Sequence, residues 1–246
     1  MNIEQLENAI KSNPNAKLIY TIPNFQNPSG TCMSLEKRKA LYELAKRHDA
    51  IIIEDNPYGE LRFEGEDIPC IKSFDEDGIV VYAGSFSKVL SPGMRVGYAI
   101  APKEIISKMT VCKQTEDVHT NIWAQAVANI FMTEYDFEGH LVKIRKIYKH
   151  KAELMQNLLD EKVCPNISYN KVQGGLFIWA TLPEKFNMTD VVKKAVEHKV
   201  AVVPGTAFLN DEKGSTSSFR LNFSTPTDQQ IIKGIDILAD VLNSMN

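Results

Sequence analysis

Four short apolar runs dense in β-branched residues set the frame for this 246-residue chain: AKLIYTIP (16–23), DAIIIED (49–55), GIVVYAGS (78–85) and RVGYAIAP (95–102). Each is too short for a helix and nearly uninterrupted in its apolar character, the pattern of strands in a parallel sheet covered on both faces. Between the first two, Leu35, Ala40, Leu41, Leu44 and Ala45 recur with charge between them, and Ser34 stands where an N-cap belongs. Strand, helix and strand in that order predict a βαβ unit. After Pro102 the pattern turns helical through KEIISKMTVCKQ, NIWAQAVANIFM and a long charged stretch from Phe137 to about Leu159. GGLFIWATLP, a helix from about Thr189, VAVVPG, FRLNFS and a last helix to about Leu242 complete the chain. The predicted fold class is therefore α/β. A partial large domain (1–140) has a mainly parallel sheet and flanking helices, and a smaller α+β domain (141–246) follows, divided from it inside the long helix.

Composition narrows what such a chain does. The 28 basic and 31 acidic residues leave a net charge of -3 with no block of one sign, so the footprint of a nucleic-acid binder is missing. The first residues, MNIEQLENAIKSNPNAK, contain no apolar signal-type core, and no later run has the length to span a bilayer. The expected location is the cytoplasm. Cys32, Cys70, Cys112 and Cys164 lie far apart with no C-x-x-C pair, which argues against both a zinc site and a disulfide framework. His48, His119, His140, His150 and His198 show no ligand spacing and are expected in surface or capping roles. Trp123 and Trp179 are expected in the core.

Ligands of open α/β sheets bind outside the carboxyl ends of the strands, so the polar residues that follow each strand carry the functional question. The first strand runs into PNFQNPSG, the second into EDNPYGE, the third into GSFSK, and FRLNFS lies near the C-terminus. Taken singly, each has an ordinary structural reading as a turn, a helix cap, a surface lysine or an ion-pair partner. Taken together they assemble a reactive amine (Lys88) and a strand-end acid (Asp55). Around these stand two hydroxyls (Ser85, Ser87) and two guanidinium groups (Arg95, Arg220). An amine meant for imine chemistry and an acid able to pair a protonated ring nitrogen are what carbonyl-cofactor catalysis requires.

NPSG, DNPY, SFSK with an arginine seven residues later, and RLNFS together resemble the pyridoxal-phosphate-dependent aminotransferases of fold type I. YTIPNFQNPSG and SFSKVLSPGMRVGY are most similar to the branch of aminoadipate, kynurenine and aromatic aminotransferases. The resemblance implies that Lys88 carries pyridoxal 5'-phosphate as an internal aldimine and then moves a proton. It implies that Asp55 pairs with the pyridinium nitrogen, and that Asn27 and Tyr58 bond the phenolic oxygen. Ser85, Ser87 and Arg95 would hold the phosphate, and Arg220, with Asn27, would take the substrate carboxylate. A ping-pong transfer of an amino group from an L-amino acid to a 2-oxo acid follows, with a homodimer as the expected assembly.

Gly30, Gly93 and Gly97 are expected at positive φ or close backbone approach, and Asn27-Pro28 is a candidate cis peptide. VVPGTAF (202–208) resembles a loop that closes on substrate. Members of this family carry a long portion ahead of the first motif, so the chain is expected to be a C-terminal fragment, with weak cofactor affinity and little turnover by itself. Two other classes share the motifs: an aminotransferase-like effector domain behind a DNA-binding domain, and a β-lyase using Lys88 and Asp55.

Overall fold

The computed structural model describes residues 1–211 and 214–245. They form two compact units: Met1–Asn24, Cys32–Leu61 and Glu66–Lys143 make the first, and Phe25–Thr31, Arg62–Gly65 and Ile144–Asn246 the second.

In the first unit, β1 (Leu18–Thr21), β2 (Ile51–Asn56), β3 (Val80–Ser85) and β4 (Gly97–Ile100) lie side by side in sequence order. β1, β2 and β3 are parallel, and β4 turns back antiparallel to β3. All four predicted strands form. Only the last departs from the parallel expectation, because eleven residues between Ser85 and Gly97 are too few for a crossover helix. α2 (Leu35–Arg47) is the connection between β1 and β2, and the Ser34 hydroxyl accepts from the Lys37 N–H at its first turn. α1 (Ile3–Ser12), capped by Asn2, precedes β1 and was not anticipated. Ile10, Ile19, Leu41, Leu44, Ile52, Ile71 and Val80 are the buried core of this unit.

The edge strands leave apolar side chains exposed on both faces of the sheet: Leu18 and Tyr20 of β1 on one, Tyr98 and Ile100 of β4 on the other. α3 (Lys103–Glu116) and α4 (Ile122–Glu134) also present apolar side chains outward. Trp123 is 76% exposed, which corrects its expected place in the core; burial of apolar residues is a rule with many surface exceptions.

A buried polar network ties the strands of this unit together. Arg38 of α2 is fully buried. It donates to the carbonyls of Met33, Ile68, Pro69 and Pro23 and to Asn24 Oδ1 at 2.6 Å. Asn24 in turn donates to Asn56, and Asn56 to the Tyr82 hydroxyl. Arg38→Ala would strand these buried acceptors and leave a cavity, so a loss of about 3–5 kcal/mol is expected, read as a lower urea midpoint.

A second buried ion sets an acid limit. The Asp75 side chain is fully buried and 2.8 Å from Lys72 Nζ. It also accepts from the Ile79 and Val80 N–H groups. Burial pushes this carboxyl up, but the Lys72 bond and the two N–H groups outweigh it, so its pKa lies below the usual value. A depressed acid adds stability that is present above its unfolded pKa and lost as pH falls through the folded one. In Asp75→Asn, chemical denaturation from pH 6 down to pH 2 is therefore expected to show a shallower loss of stability than wild type below about pH 4.

The second unit has a four-stranded antiparallel sheet of β5 (Ser168–Tyr169), β6 (Phe177–Thr181), β7 (Val203–Pro204) and β8 (Ser218–Asn222), in the order β5-β6-β8-β7. α5 (Phe137–Lys162) begins in the first unit and ends in the second. α6 (Met188–Glu197) and α7 (Asp228–Asn243) follow, the latter opened by a reciprocal cap between Thr227 and Gln230. Leu159, Ile178, Ala180, Val191, Phe219, Phe223 and Leu238 are among its buried core residues.

Candidate functional site

Strand register decides which side chains share a face in the first unit. Tyr20 pairs with Ile53, and Asp55 with Ala83, so Tyr20, Asp55 and Ser85 point to one face while Glu54, Asn56 and Tyr82 point to the other. Asp55 is half-buried, and its Oδ2 accepts from the Tyr20 hydroxyl at 2.6 Å. Tyr58, just after β2, is buried. Its carbonyl accepts from the Leu61 N–H in the short helical turn that follows.

Lys88 leaves the end of β3 in a tight turn. The Leu90 and Ser91 N–H groups both donate to the Phe86 carbonyl, at 2.8 and 3.2 Å, and Phe86 N–H donates back to Val96. Ser85 Oγ accepts from the Ser87 N–H at 3.1 Å, and Arg95 Nη1 lies 3.4 Å from Ser87 Oγ. Arg95 is held in the left-handed region at φ 54°, an uncommon backbone state for a side-chain-bearing residue. Gly97 follows it, where an added Cβ would stand 2.8 Å from the Gly84 carbonyl oxygen; this is the close approach expected there. Gly93 has no such crowding and no positive φ, contrary to expectation. His140, in the first turn of α5, has Nε2 at 2.7 Å from the Val89 carbonyl, which pins the residue after Lys88.

In the second unit, Asn27 belongs to a compact loop. Gln26 N–H donates to the Thr31 carbonyl and Gly30 N–H to the Gln26 carbonyl, while the Gln26 side chain bonds Asn27 O, Ser29 N and Ser29 Oγ. The Asn27-Pro28 peptide is cis, as expected, and Cys164-Pro165 is cis as well. Gly30 takes φ +67° against the Phe177 carbonyl, where a Cβ would come within 2.8 Å. Arg220, on β8, donates through Nη1 to Asn27 Oδ1 at 2.5 Å. Its guanidinium carbon stands 4.1 Å from the Phe177 ring centroid and 5.2 Å from that of Phe208. Phe208 closes the helical turn Gly205–Phe208 that ends VVPGTAF, and its ring meets Trp179 edge-on.

Asp55, Tyr58, Ser85, Ser87, Lys88 and Arg95 thus lie in the first unit, and Asn27 and Arg220 are bonded to each other in the second. Sequence reading missed Tyr20, His140, Phe177 and Phe208. A signal for Tyr20 was available, since a tyrosine near the end of a strand adjacent to the one bearing Asp55 can reach that acid diagonally. The donor set fits pyridoxal 5'-phosphate. Two hydroxyls and a guanidinium on one loop suit a phosphate dianion, and a strand-end carboxylate suits a ring N–H.

A family model described as aminotransferase class I and II matches residues 1–238. The aromatic-amino-acid aminotransferase 1 of Thermococcus litoralis is 40% identical over 246 residues, covering 98% of this chain and 59% of that protein. The 2-aminoadipate transaminase of Thermus thermophilus is 32% identical over 247 residues, covering 99% and 62% respectively. A crystal structure of the Pyrococcus horikoshii kynurenine aminotransferase in complex with PMP matches with a TM-score of 0.94 at 38% identity, covering 99% of this chain and 61% of that one. The chain spans about three fifths of the length of these relatives.

Proposed function

This chain belongs to the class I and II aminotransferase family, and from that premise we propose that the protein moves the amino group of an L-amino acid to a 2-oxo acid by a ping-pong cycle, with pyridoxal 5'-phosphate as cofactor. The observation that carries this reading is the strand-end arrangement of the first unit. Lys88 sits in the turn after β3, flanked by Ser85, Ser87 and Arg95, with Asp55 on the neighbouring parallel strand. When bound, the cofactor supplies an electron sink that stabilises negative charge at the substrate α-carbon. Lys88 Nζ would hold it covalently, and the same amine would be the base that carries the proton to and from the substrate α-carbon. Asp55 would accept from the ring N–H and keep that proton in place, while Ser85, Ser87 and Arg95 would bind the phosphate. Tyr58 would orient the ring through its phenolic oxygen, a role that the family resemblance also implies for Asn27.

Arg220 takes the substrate α-carboxylate in this reading, with its guanidinium carbon over the Phe177 and Phe208 rings. The proposed domains are the C-terminal part of a large cofactor-binding domain (1–140) and a small C-terminal domain (141–246); the two units differ from these in assigning 25–31 and 62–65 to the second and 141–143 to the first. A homodimer is proposed on the same basis, supported by the apolar side chains that α3 and α4 leave exposed, Trp123 foremost. A cytoplasmic location belongs to this reading too; among the described residues no helix is long and apolar enough to cross a membrane.

The test is to add pyridoxal phosphate, reduce with borohydride, digest, and map the label by mass spectrometry, then measure half-reactions with aromatic, aminoadipate-like and branched amino donors. Label on Lys88, with parallel-line kinetics when donor and acceptor are varied together, is expected of the protein at the full length of its relatives. Label scattered over surface lysines would sink the proposal. Label on Lys88 without turnover of any donor would favour the effector-domain alternative, and release of pyruvate and ammonia would favour a β-lyase.

A further inference from the structure

The bond between Tyr20 and Asp55 joins two side chains that nothing in the family motifs connects. Tyr20 lies on edge strand β1, two register positions before Asp55 on β2, and its side chain shares the Asp55 face. An aromatic side chain spans that diagonal, and the Tyr20 hydroxyl meets Asp55 Oδ2 at 2.6 Å. Among the described residues it is the one donor to that carboxylate. Tyr20 as a residue is 58% exposed. Its fixed feature is the hydroxyl.

We infer that Tyr20 is a positioning residue for Asp55, fixing the rotation of the carboxylate through the bond to Oδ2. For its catalytic consequence this rests on the cofactor reading above. A donor fixed on Oδ2 sets the plane of the carboxylate and leaves the acceptor capacity of Oδ1 for a ring N–H. Desolvation, and next the Asp55 bond, raise the Tyr20 phenol above its ordinary pKa, with nearby Tyr58 adding to the effect. The phenol therefore remains a donor across the neutral range.

Two measurements on the full-length protein test this. First, spectrophotometric titration of the phenols, with the Tyr20 component identified by its loss in Tyr20→Phe, should show the Tyr20 midpoint fall by about one pH unit in Asp55→Asn, since the coupling is reciprocal. An unmoved midpoint overturns the inference. Second, with ¹⁵N-labelled pyridoxal phosphate bound, Tyr20→Phe should move the pyridine nitrogen resonance toward the unprotonated position. It should also lower kcat about tenfold, with the amino-acid KM within about twofold of wild type. Wild-type resonance and kcat in Tyr20→Phe would also overturn it. If wild type holds no cofactor on Lys88, the proposed function fails, and the phenol titration alone decides whether Tyr20 positions Asp55. If Tyr20→Phe does not fold, site-specific ¹³C labelling of the tyrosine ζ carbons identifies the Tyr20 phenol, and its midpoint in Asp55→Asn is compared with wild type directly.

Discussion

In Lys88→Ala, borohydride is expected to leave no cofactor on the peptide spanning residues 84–98, and transamination to fall by at least about 10⁴-fold. The estimate follows from the two tasks assigned to one amine. As proton carrier at the α-carbon, a positioned base contributes about 10²–10⁴-fold. As covalent holder of the cofactor, the same nitrogen divides one difficult step into easier ones. Lys88→Arg separates charge from nucleophilicity, since it keeps the cation but cannot form an imine at neutral pH. Equal loss in both variants would tie the role to the amine. Retention of a trapped cofactor on residues 84–98 in either one would refute it, and mass spectrometry of the reduced, digested protein reads this directly.

Arg220→Leu is expected to lower kcat/KM for amino acids about a thousandfold, equivalent to about 4 kcal/mol of transition-state stabilisation. The guanidinium donates to Asn27 Oδ1 and its carbon lies over the Phe177 and Phe208 rings, so its position is constrained before a carboxylate arrives. A fork held in place loses little freedom on forming paired bonds to a carboxylate. Arg220→Lys should recover only a small part of the loss, because an ammonium neither stacks as a plane nor bonds in two parallel contacts. The discriminating substrate is an amine without a carboxylate, whose slow reaction should change less than about threefold in Arg220→Leu. A comparable drop for both substrates would mean that Arg220 supports the fold of the loop bearing Asn27 and not recognition.

Much of this was legible in the sequence because it depends on local chemistry. The apolar runs became β1 to β4, Ser34 capped α2, and the strand-end residues fell where a ligand site of an α/β sheet belongs. The reversal of β4 was harder to see, since its apolar character is the same in either direction and only the short connection from Ser85 betrays it. α1 was missed because its apolar positions, Ile3, Leu6 and Ile10, are few and stand at the very start. Tyr20 and His140 were invisible for another reason. Their partners are set by strand register and by a contact across 51 residues, neither of which a motif encodes. Trp123 was misplaced because hydrophobicity alone does not say whether a surface is covered by the same chain.

The two compact units are interleaved along the chain. Phe25–Thr31 and Arg62–Gly65 belong to the second unit although first-unit sequence flanks them on both sides. These short excursions are not ornamental. Phe25–Thr31 supplies Asn27 to Arg220, and Phe63 and Glu64 donate backbone bonds to Gln173. No single cut in the gene separates the pair. A piece starting at Ile144 would carry Arg220 without its asparagine acceptor and the 173–174 strip without its backbone partners. Recombination between relatives would therefore have to exchange three stretches at once to transplant the second unit whole. The chain is modular in space and indivisible in inheritance.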